Sequence, residues 1–215
     1  MLGLHQVASM PVEQPSTSLE LRHAATDRAM IVVVPKRRLL AIDGVGGPEA
    51  SDFRFASVAL RTAAKLIRDR ILHTRSIETR IGVIECAWWI HPEVEPDRMA
   101  DAFTDRTSWH WQQMIEIPDS ATDDDVAGAI DQARREAGRE TSLVRQISFT
   151  EGRAAQILHI GGAADEPESV RKLYRAVAEA GLEPRGHLHQ IILSDPVQVP
   201  AGRGRSILRL PIAPH

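Results

Sequence analysis

The sequence has one cysteine, Cys86, among 215 residues. That excludes an internal disulfide framework and any multi-cysteine zinc or iron–sulfur centre, and it suits a reducing compartment. No apolar run approaches the roughly 20 residues that span a bilayer. The first 21 residues lack the basic start and long apolar stretch of a signal peptide. A cytoplasmic protein with no membrane partner is therefore expected. Net charge is only −3, which gives no strong field toward nucleic acid. Just three of the 26 basic residues are lysine (Lys36, Lys65 and Lys172), a bias that reads as coding composition. The phosphate-loop, dinucleotide-fold and zincin signatures are missing, and neither a metal nor a cofactor is expected. Aromatics make up only 4%, yet all four tryptophans, Trp88, Trp89, Trp109 and Trp111, crowd into one short stretch. Such crowding either braces one core or builds one aromatic surface.

What is present reads as a soluble α+β chain. Residues 1–21, with Pro11, Pro15 and a Ser-Thr-Ser run, form an expected flexible tail. Met30 to Asp43 reads as a hairpin, with Pro35-Lys36-Arg37 as its turn. A helix follows over about 51–72, with Ser51 as its cap and Phe55, Ala59, Ala63, Leu66 and Ile67 as its inward stripe. Strands are expected over 80–90 and 108–117. Thr122 caps a helix over 122–138, whose first turn carries Asp123, Asp124 and Asp125 where the helix dipole favours them. Further strands run over 143–149 and 153–160, separated by a Thr150-Glu151-Gly152 turn. A helix over 167–180 and strands over 187–194 and 206–212 complete the chain.

The halves superimpose at an offset of 115 positions: Arg38 on Arg153, Ile42 on Ile157, Gly46 and Gly47 on Gly161 and Gly162. The order of elements agrees as well. This predicts one domain over 22–213 made of two duplicated strand-helix-strand-strand modules, about 22–118 and 140–213. They would have pseudo-twofold symmetry, antiparallel sheets with helices on one face, and a central ligand groove.

At this point the residues resemble a known family. PKRRLLAIDGVGGPE (35–49), IECAWW (84–89), SWHWQQMIEIPD (108–119), EGRAAQILHIGGAADEPESVRKLY (151–174), GHLHQIILSDP (186–196) and ILRLPI (207–212) are together similar to stand-alone GyrI-like small-molecule-binding proteins. The resemblance covers roughly residues 20–213. It implies a tandem α+β fold with a cleft for flat, apolar or cationic ligands. Some stand-alone members are hydrolases that open the cyclopropane of duocarmycin-type DNA-alkylating agents, and others only bind ligands. The same module senses drugs in transcription activators, but no helix-turn-helix is read ahead of it, so the regulator subtype is not expected. The family motif usually runs His-His-Glu-Ile-Tyr-Leu-Ser-Asp. Here the stretch is Leu188-His189-Gln190-Ile191-Ile192-Leu193-Ser194-Asp195. Gln190 cannot carry charge or act as a base, and Ile192 has no phenol.

Candidate site residues follow from these readings. Alternation along a strand puts Trp109 and Trp111 on one face and separates Trp88 from Trp89. Trp109, Trp111 and one of the pair either pack a core or stack on a planar ligand, each stacking contact contributing about 0.5–1.5 kcal/mol. Glu85 sits between Ile84 and Cys86 in an apolar strand. It faces solvent, pairs with an arginine, or serves as a groove carboxylate that activates water. Tyr174 lies on an apolar helical stripe, where it packs a core or offers a hydroxyl to the site. His189, Gln190 and Ile192 are candidate ligand contacts. His187 and His189 have the spacing of a metal pair but no evident third ligand. Phe103 lies in a loop that either lids the groove or is plain surface.

The expectation is thus a detoxification or self-resistance protein. It would bind a planar, apolar, electrophilic molecule and open its strained ring with water. Trp89, Trp109 and Trp111 would sandwich the ligand, Glu85 would be the base, and Gln190, Tyr174 or His189 would steady the developing oxyanion. The alternatives are a non-catalytic sequestering protein and an interaction module that antagonises gyrase. The sequence leaves the oligomeric state open.

Overall fold

The computed structural model describes residue 10 and residues 23–91, 95, 98–136, 143–194 and 199–214. Its elements are strand β1 (Met30–Val45), helix α1 (Ser51–Arg75), β2 (Ile84–Trp89), a short helical turn α2 (Met99–Ala102), β3 (His110–Glu116), α3 (Asp123–Glu136), β4 (Arg145–Ile160), α4 (Glu166–Glu179), β5 (Leu182–Pro184), β6 (Leu188–Ile192) and β7 (Arg205–Pro214). No described helix is long and apolar enough to cross a membrane. Of the expected tail only Met10 is described, and it is buried.

The chain divides into two compact units. The first takes in the described parts of 36–91 and 105–150; the second takes in the described parts of 1–35, 92–104 and 151–215. In the first unit β3 pairs antiparallel with both β1 and β2, giving the order β1-β3-β2. Helix α1 covers one face of this sheet and buries Phe53, Ala56, Ala59, Leu60, Ala63, Ala64, Ile67 and Ile71. In the second unit β7 pairs antiparallel with β4 and β6, giving the order β4-β7-β6. β5 joins the far end of β7. In both units the last strand lies between two others, β3 between β1 and β2 and β7 between β4 and β6. The fold is mixed α/β with antiparallel sheet, as expected.

Two expected turns are absent. Pro35-Lys36-Arg37 lies inside β1, and Thr150-Glu151-Gly152 lies inside β4; each strand is continuous for 16 residues. Pairing outweighs turn propensity here. The first half of β1 packs Val32 and Val34 with Ala154, while its second half pairs along β3. Gly152 holds φ +69 within β4. Glu151 and Gln156, five positions apart, both bond Arg209. Strict alternation would put them on opposite faces, so one residue is accommodated as a bulge at the glycine.

The α1 stripe is also rotated from the one expected: Phe53 is buried and Phe55 is 50% exposed. Ala50, not Ser51, is the N-cap, with no side-chain cap. The α3 start is as read from the sequence. The Thr122 hydroxyl accepts from the Asp125 N–H at 3.1 Å, and Asp125 accepts from the Thr122 N–H at 2.9 Å. This is a reciprocal capping box. The end of the expected helix, 137–138, falls outside the described residues.

Candidate ligand-binding site

The two faces of the first unit's sheet carry different chemistry. On the α1 side, Trp88 and Trp111 are cross-strand partners. Phe53 of α1 stacks on Trp88 with centroids 5.2 Å apart and an interplanar angle of 16°, and meets Trp111 edge-on at 5.3 Å. The Arg106 guanidinium lies over Trp88 at 4.7 Å, a cation–π contact in a desolvated setting. Trp88, Trp109 and Trp111 are all buried to within 1%. The Trp111 ring lies over Gly44, where a Cβ would come within 2.1 Å of it. Trp88 and Trp111 therefore brace the core between α1 and its sheet, and Trp109 is buried as well.

The fourth does not. Trp89 points to the face away from α1 and is half-buried. It stacks on its cross-strand partner His110 with centroids 5.8 Å apart and planes 15° from parallel. His91, exposed, meets His110 edge-on at 5.4 Å. Ala87, Leu39, Ala41 and Met114 continue this face as an apolar cluster, against which Ile147 and Phe149 pack. The WW pair thus splits as alternation requires, and Trp89 is the member that leaves the tryptophan core.

Glu85 shares the Trp89 face, two rows further along β2. It is 1% exposed. Its two oxygens accept from Arg37 Nη1 at 2.7 Å and Nη2 at 2.9 Å, and Arg37 also reaches Glu116 at 3.3 Å. Of the three readings open in the sequence, the structure gives Glu85 the buried ion pair with an arginine. Cys86, on the opposite side of the strand, is buried, as alternation predicts.

The second unit contains a separate buried network. Glu151 accepts from Arg209 Nη1 at 2.9 Å and lies 2.7 Å from His189 Nδ1. Arg209 Nε donates to Gln156 at 2.9 Å, and Gln156 donates to the Ala24 carbonyl at 2.9 Å. Gln190 alternates to the other face and donates to Glu166 at the start of α4. Glu85 and Gln190 are therefore not equivalent: Glu85 faces away from its unit's helix, and Gln190 faces toward its own. Ile192 shares the Gln190 face and is half-buried. Tyr174 is 9% exposed on α4, and burial pushes its phenol well above the ordinary tyrosine value. Phe103, expected on an open loop, is 2% exposed. Its N–H closes the α2 turn on Met99, and neighbouring Asp101 pairs with Arg171 of α4.

Within each unit, then, the structure groups the predicted residues as follows. Trp88 and Trp111 form one cluster with Phe53, and Trp109 is buried; Glu85 and Trp89 share a face; His189 joins a charged network; Gln190 and Tyr174 belong to the α4 side. Arg37, Glu116, Glu151, Gln156 and Arg209 were not singled out from sequence. Their roles come from contacts between distant strands, which leave no spacing signal. Among the described residues no group of three His, Cys, Asp or Glu could hold a metal ion.

A mixed α/β fold with antiparallel sheets, an aromatic platform and buried ion pairs defines a binding scaffold. The GyrI-like small molecule binding domain matches residues 106–213, just over half of the chain, and the chain belongs to that family. An uncharacterized conserved protein from Listeria innocua is similar in structure, with 25% identity and a TM-score of 0.79 over 91% of this chain and 97% of that one. A hydrolase from Listeria innocua is 24% identical, with a TM-score of 0.75 over 90% and 96%. The C-terminal domain of EcmrR shares the fold at 7% identity, with a TM-score of 0.58 over 87% and 98%. No curated protein matches the chain.

Proposed function

We propose that this protein protects the cell by binding a planar, apolar, electrophilic small molecule, of the cyclopropanoid DNA-alkylator type, and opening its strained ring with water. The observation that carries this reading is the half-buried Trp89 stacked on His110 outside the tryptophan core. A flat molecule can extend that stack, gaining dispersion and quadrupole contacts without displacing the core. Water-dependent chemistry is supported by the fold shared with a Listeria innocua protein called a hydrolase. A vinylogous cyclopropane is already activated, so positioning of water supplies much of the acceleration. A carboxylate has about four lone-pair positions. Arg37 occupies two on Glu85, so in this reading the pair opens before Glu85 takes the proton of the attacking water. In this reading the two units arose by duplication of one strand-helix-strand-strand module.

A second reading is sequestration without turnover. It is favoured by the engagement of both Glu85 oxygens with Arg37 and of Gln190 with Glu166. One experiment separates the two. The chain is incubated with a cyclopropanoid alkylator, and ligand and product are followed by mass spectrometry. Product beyond one equivalent, lost in Glu85→Gln, supports hydrolysis. Tryptophan quenching with unchanged ligand supports sequestration. Absence of both binding and product refutes the proposal.

A further inference from the structure

The far end of β4 and the first turn of α4 bring together a serine, a histidine and an aspartate that the proposed function does not use. The Ser169 hydroxyl lies 2.9 Å from His159 Nδ1. His159 is 3% exposed, and its Nε2 is buried without a hydrogen-bond partner among the described residues. Ser206, its cross-strand partner on β7, is 5% exposed, and its hydroxyl is likewise unpartnered there. Two orphaned polar atoms on adjacent strands are costly unless something completes them.

Asp165 caps α4, and Ser169 lies four residues on, so both project from one face of the helix. Gly161, in the link between β4 and α4, leaves room beside the histidine. Its φ is +150, and a Cβ there would lie 2.8 Å from Asp165 Oδ2 and 3.3 Å from His159 Cε1. The carboxylate and the imidazole edge both border the space a side chain would fill. Ser169 is half-buried and Asp165 exposed, so the cluster opens to solvent on the helix side.

We infer that Ser169 is a nucleophilic serine, with His159 as its base, that accepts acyl groups from activated esters. A nucleophile within hydrogen-bond reach of a base is the signature of such a pair. The Ser169 Oγ forms a bond to the ester carbonyl carbon, and its proton passes to His159 Nδ1. The C–O bond to the leaving alkoxide breaks, and the alkoxide takes that proton. Water then hydrolyses the acyl-serine, releasing the carboxylic acid and regenerating Ser169. This inference is independent of the ring-opening proposal.

The test uses the full chain with a fluorophosphonate probe. That probe reacts by the same attack, with formation of an O–P bond and loss of fluoride. Intact mass and peptide mapping should show one adduct per chain, on Ser169. Ser169→Ala should abolish it, and His159→Gln should slow it about 100-fold. An absent adduct on a folded chain, or one that His159→Gln leaves unchanged, overturns the inference. His159 is buried, and where its variant fails to fold, Ser169→Cys decides. At pH 6.5 it should alkylate with iodoacetamide about tenfold faster than N-acetylcysteine if His159 withdraws its proton, and no faster if it does not. The native Cys86 is buried.

Discussion

Arg37 grips both carboxylate oxygens of Glu85, at 2.7 and 2.9 Å, across a distance of 48 positions in sequence. The pair is almost wholly buried, with side-chain exposures of 2% and 1%. A buried ion pair contributes little net stability, but removing one partner strands the other charge. Arg37→Met or Glu85→Ala alone should cost about 3–5 kcal/mol in urea unfolding. The double replacement should cost clearly less than the sum. Additive losses would mean the two residues act independently.

Trp111 and Gly44 make a second tight relationship. A methyl at 44 would enter the Trp111 ring. Gly44→Ala should therefore lower stability by about 1–3 kcal/mol through overpacking. Trp111→Ala should lower it by about 3–5 kcal/mol through the cavity it leaves. Thermal unfolding, monitored by far-ultraviolet circular dichroism, measures both.

Trp89 should behave in the opposite way. It is half-buried and stands outside the tryptophan core. Trp89→Ala should shift the melting temperature little and weaken ligand binding about tenfold, as expected for losing one stacking contact. Titration of intrinsic fluorescence, which Trp88, Trp109 and Trp111 still supply, gives the affinity. A large stability loss with unchanged affinity would remove Trp89 from the site.

Asp125 makes stability depend on acid. Burial pushes its carboxyl up, but the Thr122 N–H, the Arg75 guanidinium and the Thr122 hydroxyl outweigh this and hold it below the ordinary value. Its contribution is complete above the unfolded carboxyl value of about 3.9 and is lost as pH falls through the lower folded value. Asp125→Asn should flatten that acid limb in urea titrations between about pH 5 and pH 2, leaving a smaller, pH-independent loss from the weakened cap.

Tyr174 is the sole tyrosine, and burial raises its phenol above the ordinary value. A raised folded value means that the unfolded chain ionises first. Stability should then fall as pH rises above about 10. Absorbance at 295 nm should stay flat near pH 10 and rise cooperatively when the chain unfolds. A simple titration at pH 10 in folded protein would show the hydroxyl to be open to solvent.

The sequence was legible where the signal was local. Alternation separated Trp88 from Trp89 and Cys86 from Glu85. The Thr122 cap and the acidic first turn of α3 were readable because both partners lie within one helical turn. Glycines after each unit's first strand marked real positive-φ positions, Gly46 and Gly161. The apparent turns at 35–37 and 150–152 misled because a strand's length is set by its partners, not by its own residues.

Composition and short-range pattern alone determined the mixed α/β class, the strand faces and one capped helix, since these depend on neighbours a few positions apart. Tertiary structure decided which tryptophans became core, because α1 supplies Phe53 from another part of the chain. It also decided that Glu85 is held by Arg37, that Gln190 is held by Glu166, and that Ser169 meets His159. Each of those outcomes depends on which strand or helix lies alongside, and the energy of a buried charge or an orphaned hydroxyl is set by that neighbour.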